Sequence, residues 1–486
     1  MVFKRRQIKN LIIPLLICAV FFVLYSALSI VRHNHYGSYG YDLGINDQVV
    51  WEYSKFNLPI TTIAPQIGKL KLVTHIEVIF ALLSPFYWIW SNPIMLLILQ
   101  SLFFCISGIA VYLLAKSKNL NSFFNYAILI SYLSFYGVQN ALWFDVHSIV
   151  FGASFLTWFL YFLQTKKHRL TFLFFFLAIL SKENIGFVTF FIGFVYFIFR
   201  KDKYSFLIML FSVLYLFFVF FIYFPYIINV DYLYANKGGI LSNFDLRTFF
   251  DTQEKIQVIF YTLFSFGFVS LLNPFILIPS FGDLATYFII ASELPGAHGL
   301  YMHYRIMLSP LMAWGTIITV GKYKFLNKRW IGIYLILCTM FIQYSLHLPL
   351  SYLSKQWFWN ESKSVKTINK VISDYLPKDA SVVAQNNIIP HISERHNIYE
   401  LYPEKKDFNS NLICKEKLCD WFRWAGSAKF LLVDTSSDWD SRHFLIDRGQ
   451  YIKGLNNLEK EKIIKIYKKI GTTTLYKILD NPINIK

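Results

Sequence analysis

With 486 residues, 55% of them hydrophobic and only 16% charged, and a mean hydropathy of +0.43, the chain carries too few charges for a soluble fold and reads as one dissolved mainly in lipid. The formal net charge of +18 would suit nucleic acid, but the Lys and Arg residues sit in short clusters between apolar runs. That is the pattern of cytoplasmic loops, so nucleic acid is excluded as a partner. An aromatic share of 19%, with 50 Phe, fits packing against lipid and between helices rather than a cofactor pocket.

The N-terminus, Met1 to Arg6, is basic and precedes an apolar run over 11–31. A signal peptide has a shorter apolar region and a small-residue cleavage site, which Ser26-Ala27-Leu28-Ser29 matches poorly, so the run is expected to be an uncleaved first helix. Further spans are expected at 94–115, 122–142, 148–164, 169–183, 185–199, 205–228, 257–272, 275–290, 304–320 and 330–349, about eleven in all. The stretch 169–199 is either two short spans, one broken hairpin or another arrangement. Counted this way, the clusters Lys4-Arg5-Arg6, Lys116/Lys118, Lys166-Lys167-His168-Arg169, Arg200-Lys201-Lys203 and Lys322/Lys324/Lys328-Arg329 all fall on one side. By the positive-inside rule that side is the cytoplasm, which places the chain after about residue 350 outside.

The remaining connections, 32–93, 143–148, 182–185, 229–256 and 291–303, then face outward. They hold Asp42, Asp47, His75, Glu77, Asp145, His147, Lys182, Glu183, Glu293, His298 and His303. Singly each is an ordinary interfacial residue; as a set on one face they outline a polar cavity open to the exterior. The stretch 45–56 suits a helix lying on the membrane surface, and 78–90, with Trp88 and Trp90, suits an interfacial or re-entrant segment.

Several stretches carry a resemblance along nearly the whole chain: YDLGINDQVVW (41–51), HIEVIFALLSPFY (75–87) followed by LQS (99–101), FDVHSIVFGA (144–153), SKENIG (181–186) and HYRIMLSPLMAWG (303–315). LPKDASVVAQNNIIPHISERHNIYEL (376–401) and KFLLVD (429–434) complete the set. Together they are similar to an uncharacterised prokaryotic membrane-protein family, domain of unknown function 2079, and the layout resembles the GT-C glycosyltransferases. The resemblance implies a GT-C-like membrane domain over 1–350, with surface helices in its first exterior loop (32–93), followed by a small extracytoplasmic α/β domain over 351–486. It also implies a bacterial or archaeal plasma membrane and a polyprenyl-phosphate sugar as donor.

In such an enzyme an acid of the first exterior loop activates the acceptor hydroxyl, and cations or donors receive the leaving phosphate. Asp42 matches that acid, with Asp47 as the alternative and Asp145 as a further catalytic candidate. Asp145 and His147 could orient each other, hold an acceptor hydroxyl, or share a divalent cation (Mg or Mn) with Asp42; no cofactor is certain. Lys182 and Glu183 either bind an anion or form an internal ion pair. His75, Glu77, His298, His303 and Tyr304 are candidate substrate contacts, and Arg305 is the candidate for the donor phosphate, weighed against snorkelling to headgroups.

Beyond Lys355 the composition turns polar: an amphipathic helix at 361–375, strands at 381–384, 397–401 and 429–434, a basic helix at 457–470 and a final strand at 472–478 are expected. This domain reads as a cap or acceptor-recognition module. Cys18, Cys105 and Cys338 lie in apolar spans, whereas Cys414 and Cys419 are either a local disulfide or a reduced pair. The function implied is sugar transfer from a polyprenyl-phosphate donor to an envelope lipid, glycan or protein. The alternatives are a transporter or flippase of a lipid-linked molecule, which calls for inverted repeats that the sequence lacks, or a non-catalytic scaffold.

Overall fold

The computed structural model describes residues 11–63, 70–230, 232, 245–290, 296–403, 422–424 and 426–480. The chain forms two compact units. The first comprises Met1–Ser29, Val73–Ile79 and Leu97–Lys355; the second comprises Ile30–Leu72, Phe80–Leu96 and Gln356–Lys486. The segment 32–93 therefore divides: most of it folds with the C-terminal residues, and the short piece bearing His75 and Glu77 folds with the helices.

The first unit is helical. Among the described residues three helices, Ile12–Asn34, Pro93–Ser117 and Lys203–Ile228, are long and apolar enough to cross a bilayer. The other expected spans appear as shorter helices, including Ser148–Gln164, His168–Ile179, Ile185–Arg200, Leu308–Lys322 and Arg329–Ser345. The span expected at 122–142 is two helices, Ser122–Leu133 and Tyr136–Trp143, and 169–199 is likewise two, His168–Ile179 and Ile185–Arg200. Lys203–Phe217 continues into a wide π-type stretch, Phe218–Ile228, around Pro225, whose missing N–H cannot serve the regular ladder.

Helices approach closely where side chains are small. A Cβ on Gly152 would lie 2.3 Å from Ile185 Cδ1, so glycine lets Ser148–Gln164 meet the start of Ile185–Arg200 without displacing that side chain. Polar clamps tie the apolar bundle together. Tyr25 OH donates to the Leu133 carbonyl at 2.5 Å, and Tyr132 OH bonds both Ser107 and Thr157, at 2.6 and 2.9 Å. In a lipid-like interior such pairs satisfy groups that have no water to turn to.

The second unit is built on a five-stranded sheet in the order Ile398–Glu400, Val382–Ala384, Phe430–Asp434, Thr473–Ile478, Ile464–Ile470. The first two pairings are parallel and the last two antiparallel. The helix Lys363–Tyr375 buries Val365, Ile368 and Val371, one stripe at helical spacing, and packs on the closing hairpin.

Two expectations are corrected here. Residues 457–470 are not one basic helix: Arg448–Lys460 is helical, and Ile464–Ile470 is a strand paired with Thr473–Ile478. Its lysines line an edge strand, and its β-branched residues favour the sheet. Nor does the helix Ile45–Ser54 lie on a surface, since every residue from Ile45 to Glu52 is buried. Gln48 explains part of this. Its amide accepts from Thr61 Oγ1 (2.9 Å) and the Thr62 amide (3.0 Å), and donates to Thr62 Oγ1 (3.1 Å) and the Arg395 carbonyl (2.9 Å). Glu52 adds a contact to His396 Nδ1 at 2.8 Å.

Candidate functional site

In the first unit the expected polar residues do gather. Glu183, fully buried in the turn after His168–Ile179, accepts from the Ile76 amide (3.2 Å) and Tyr232 OH (2.7 Å), and lies 2.6 Å from His75 Nδ1. Two residues on from His75, Glu77 Oε1 accepts from Ser148 Oγ at 2.6 Å. The rings of His147 and His303 stack with centroids 3.5 Å apart, and Tyr304 adjoins His303 at 4.3 Å. Burial pushes the His303 imidazole well below its usual range, and the charges of His147, Lys182, His75 and Arg305 push the same way. His303 is thus neutral at pH 7. Half-buried Lys182 adds its ammonium to this group. Asp145 is buried with a left-handed backbone (φ 53°), and its carbonyl accepts from Gln100 Nε2 at 2.6 Å.

Two expected ligand residues have other surroundings. Arg305 is fully buried; its Nε donates to the Gly299 carbonyl at 3.1 Å and its Nη2 to the Ala297 carbonyl. The guanidinium lies 5.0 Å over the Tyr287 ring and 5.3 Å over Phe288, and a Cβ on Gly137 would come within 2.7 Å of the Arg305 backbone. Nε and Nη2 tie Arg305 to the 297–305 turn, while its buried Nη1 has no hydrogen-bond partner among the described residues. His298 lies beside Lys255, whose ammonium is held by the Thr248 carbonyl and Asp251. Glu293, Cys414 and Cys419 lie outside the described residues.

In the second unit the two first-loop acids part company. Asp42 sits half-buried on the turn Gly40–Gly44. That turn rests on the 386–390 loop: the Gly40 amide donates to Asn386 Oδ1 at 2.8 Å, and a Cβ on Gly44 would lie 2.8 Å from Ile389 Cγ2. Asp47 is fully buried; its oxygens accept from Tyr87 OH and, at 2.6 Å, from Ser393 Oγ. Burial and the nearby Glu394 push the Asp47 carboxyl well above the usual range, against the pull of those hydroxyls. Glu394, accepting from Ser91 Oγ at 2.8 Å, is raised by burial too.

Sequence reasoning missed Ser148, Tyr232, Tyr87, Ser393 and Glu394. Ser148 directly follows the Asp145-Val146-His147 motif and could have been read from it. The others sit far along the chain from the groups they touch. Among the described residues no group of three or more His, Cys, Asp and Glu side chains is placed to hold a metal ion.

The chain belongs to the family described as "Predicted membrane protein (DUF2079)", whose model matches residues 32–423. No curated protein matches it. Its fold is similar to that of ArnT from Cupriavidus metallidurans, solved bound to undecaprenyl phosphate: the TM-score is 0.57 at 10% identity, over 95% of this chain and 97% of that one. ArnT is a GT-C glycosyltransferase, so the resemblance to that superfamily holds at the level of the fold.

Proposed function

We propose that this protein is a GT-C-type membrane glycosyltransferase that moves a sugar from a polyprenyl-phosphate donor to an envelope lipid, glycan or protein on the outer face. The observation that supports the reading is the likeness in fold, along 95% of this chain at a TM-score of 0.57, to ArnT, which was solved bound to undecaprenyl phosphate. In this reading the acceptor O–H proton passes to Asp42 as the new C–O bond forms at the sugar's anomeric carbon. The bond from that carbon to the phosphate oxygen breaks, and the electron pair leaves on the phosphate. Within the first unit, Lys182 with His147 and His303 beside it is the group whose chemistry suits an anion. Asp42 is preferred to Asp47 because it is half-buried on a braced turn, whereas Asp47 is sealed between Tyr87 and Ser393.

The test is lipid analysis of cells carrying Asp42→Asn or Lys182→Ala beside a deletion strain. Normal expression with accumulated polyprenyl-phosphate sugar, and a glycan lacking one residue, supports the transferase. Wild-type lipids in both variants would sink it and favour transport of a lipid-linked molecule or a scaffold role.

A further inference from the structure

A cavity of about 240 Å³ in the first unit takes no part in the reaction proposed above. It lies at the far end of the bundle from Glu183 and Arg305. Arg200 closes the 16-residue helix that begins two residues after Glu183, and Lys322 closes the 15-residue helix that begins three residues after Arg305. At 1.5 Å per residue these ends are roughly 22–24 Å from the polar group.

The floor of the cavity is an ordered chain of hydrogen bonds. Trp314 Nε1 donates to Tyr196 OH (3.2 Å), which donates to Gln164 Oε1 at 2.5 Å. Gln164 Oε1 also accepts from Arg200 Nη2 at 3.2 Å, and Arg200 Nη1 donates to the Leu163 carbonyl at 3.3 Å. The guanidinium is further held 4.5 Å over the Tyr196 ring. Two of its five N–H groups are used in this way, so it is oriented and still has donors to offer.

Positive charge accumulates around it. Lys322 lines the same cavity and is exposed. The Lys118 side chain passes 3.6 Å from where a Gly321 Cβ would sit, and burial and Arg200 together push its ammonium down. The carboxylate that feels Arg200 is Asp202, whose Oδ1 already accepts from the Ser205 amide and hydroxyl, at 2.8 and 3.0 Å. The walls, by contrast, are apolar: Val195, Phe199, Ile276 and Ile318.

A free anion would satisfy the cations and leave those walls unused, and a neutral lipid would do the reverse. We propose that this cavity binds an anionic phosphate-headed lipid, its phosphate on Arg200 and Lys322 and the start of its chain along Phe199, Ile276 and Ile318. The site is independent of the transfer reaction and requires only that the bundle sits in a bilayer.

The test uses the purified full chain in neutral detergent, with thermal unfolding followed as ligand is added. Phosphatidic acid should raise the midpoint saturably, and phosphatidylcholine with the same acyl chains should not. Lys322→Gln, at an exposed position, should weaken the phosphatidic acid response about fivefold, the worth of one cation near an anionic lipid. Ile318→Trp, which fills the cavity and keeps both cations, should abolish it. The proposal is overturned if inorganic phosphate alone reproduces the stabilisation, which would make the site one for a free anion. It is equally overturned if phosphatidylcholine serves as well, or if Lys322→Gln folds normally and responds as the wild type.

Discussion

Glu183 in the first unit and Asp47 in the second are both fully buried carboxylates, and the two are treated in opposite ways. Glu183 in the first unit meets an imidazole nitrogen at 2.6 Å, a backbone amide and a tyrosine hydroxyl. These partners can carry or stabilise its charge. Asp47 in the second unit meets only two hydroxyls, with another acid, Glu394, close by. Equal burial thus leads to an anchoring contact in one place and a carboxyl pushed well above its usual range in the other. The comparison teaches that burial alone does not decide a role; the partners do. It also separates both residues from Asp42, which is half-buried and whose turn is braced by the 386–390 loop.

The largest effect is expected at the residue the comparison leaves aside. Asp42→Asn should lower transfer by about 10²–10⁴-fold, the usual contribution of a positioned base, with little change in unfolding temperature. A variant that loses stability in parallel with activity would put Asp42 with the structural acids. Next comes Glu183→Ala, which strips the partner from His75 and Tyr232 and should cost about 3–5 kcal/mol, read as a large fall in the unfolding midpoint. A change under about 1 kcal/mol would show the contact to be dispensable.

Asp47→Asn should be milder and visible mainly as a pH effect. The folded-state value of Asp47 is raised, so its stabilising share is complete below the unfolded value of 3.8 and is lost as pH rises through the folded value. The carboxamide of that variant cannot ionise, so this decline on the alkaline side should disappear, measured as the unfolding midpoint from pH 4 to 8. Two buried histidines of the same unit act in the other direction. His391 is pushed well below the usual imidazole range, and His443 down to about 3, both chiefly by burial. Their share is present above the unfolded value of 6.5 and is lost as pH falls, by up to about 1.4 kcal/mol per pH unit for each. His443→Phe should flatten that acid limb. The smallest effect is expected for Gly44→Ala, whose new methyl meets Ile389 and should cost about 1–3 kcal/mol. Pairing it with Ile389→Ala should recover part of the loss if the Asp42 turn rests on this loop.

Local pattern made much of the fold legible. Runs of apolar residues marked helices to within a few positions, as at Ile12–Asn34, Pro93–Ser117 and Arg329–Ser345, because hydrophobic length is a property of neighbours in sequence. The strands Val382–Ala384, Ile398–Glu400 and Phe430–Asp434 were marked by their β-branched and aromatic residues in the same way. The lysines of Ile464–Ile470, at 465, 468 and 469, misled, since they fit a solvated helix as well as an edge strand.

The candidate site was legible as an inventory but not as an arrangement. The acids and histidines of His75, Glu77, Asp145, His147, Glu183 and His303 stood out because charge is costly beside lipid. Their partners did not: His75 meets Glu183 across 108 positions, and Asp47 meets Ser393 across 346. Sequence by itself determined the membrane class, the order of most helices and strands, and which residues were worth weighing, because hydropathy and charge act locally. Only the tertiary structure decided that Ile45–Ser54 is a buried helix, that Arg305 is buried against the Ala297 and Gly299 carbonyls, and that Asp47 is sealed while Asp42 stays half-buried. Those outcomes depend on which surfaces the chain brings together over hundreds of residues, and no local pattern encodes a partner's identity.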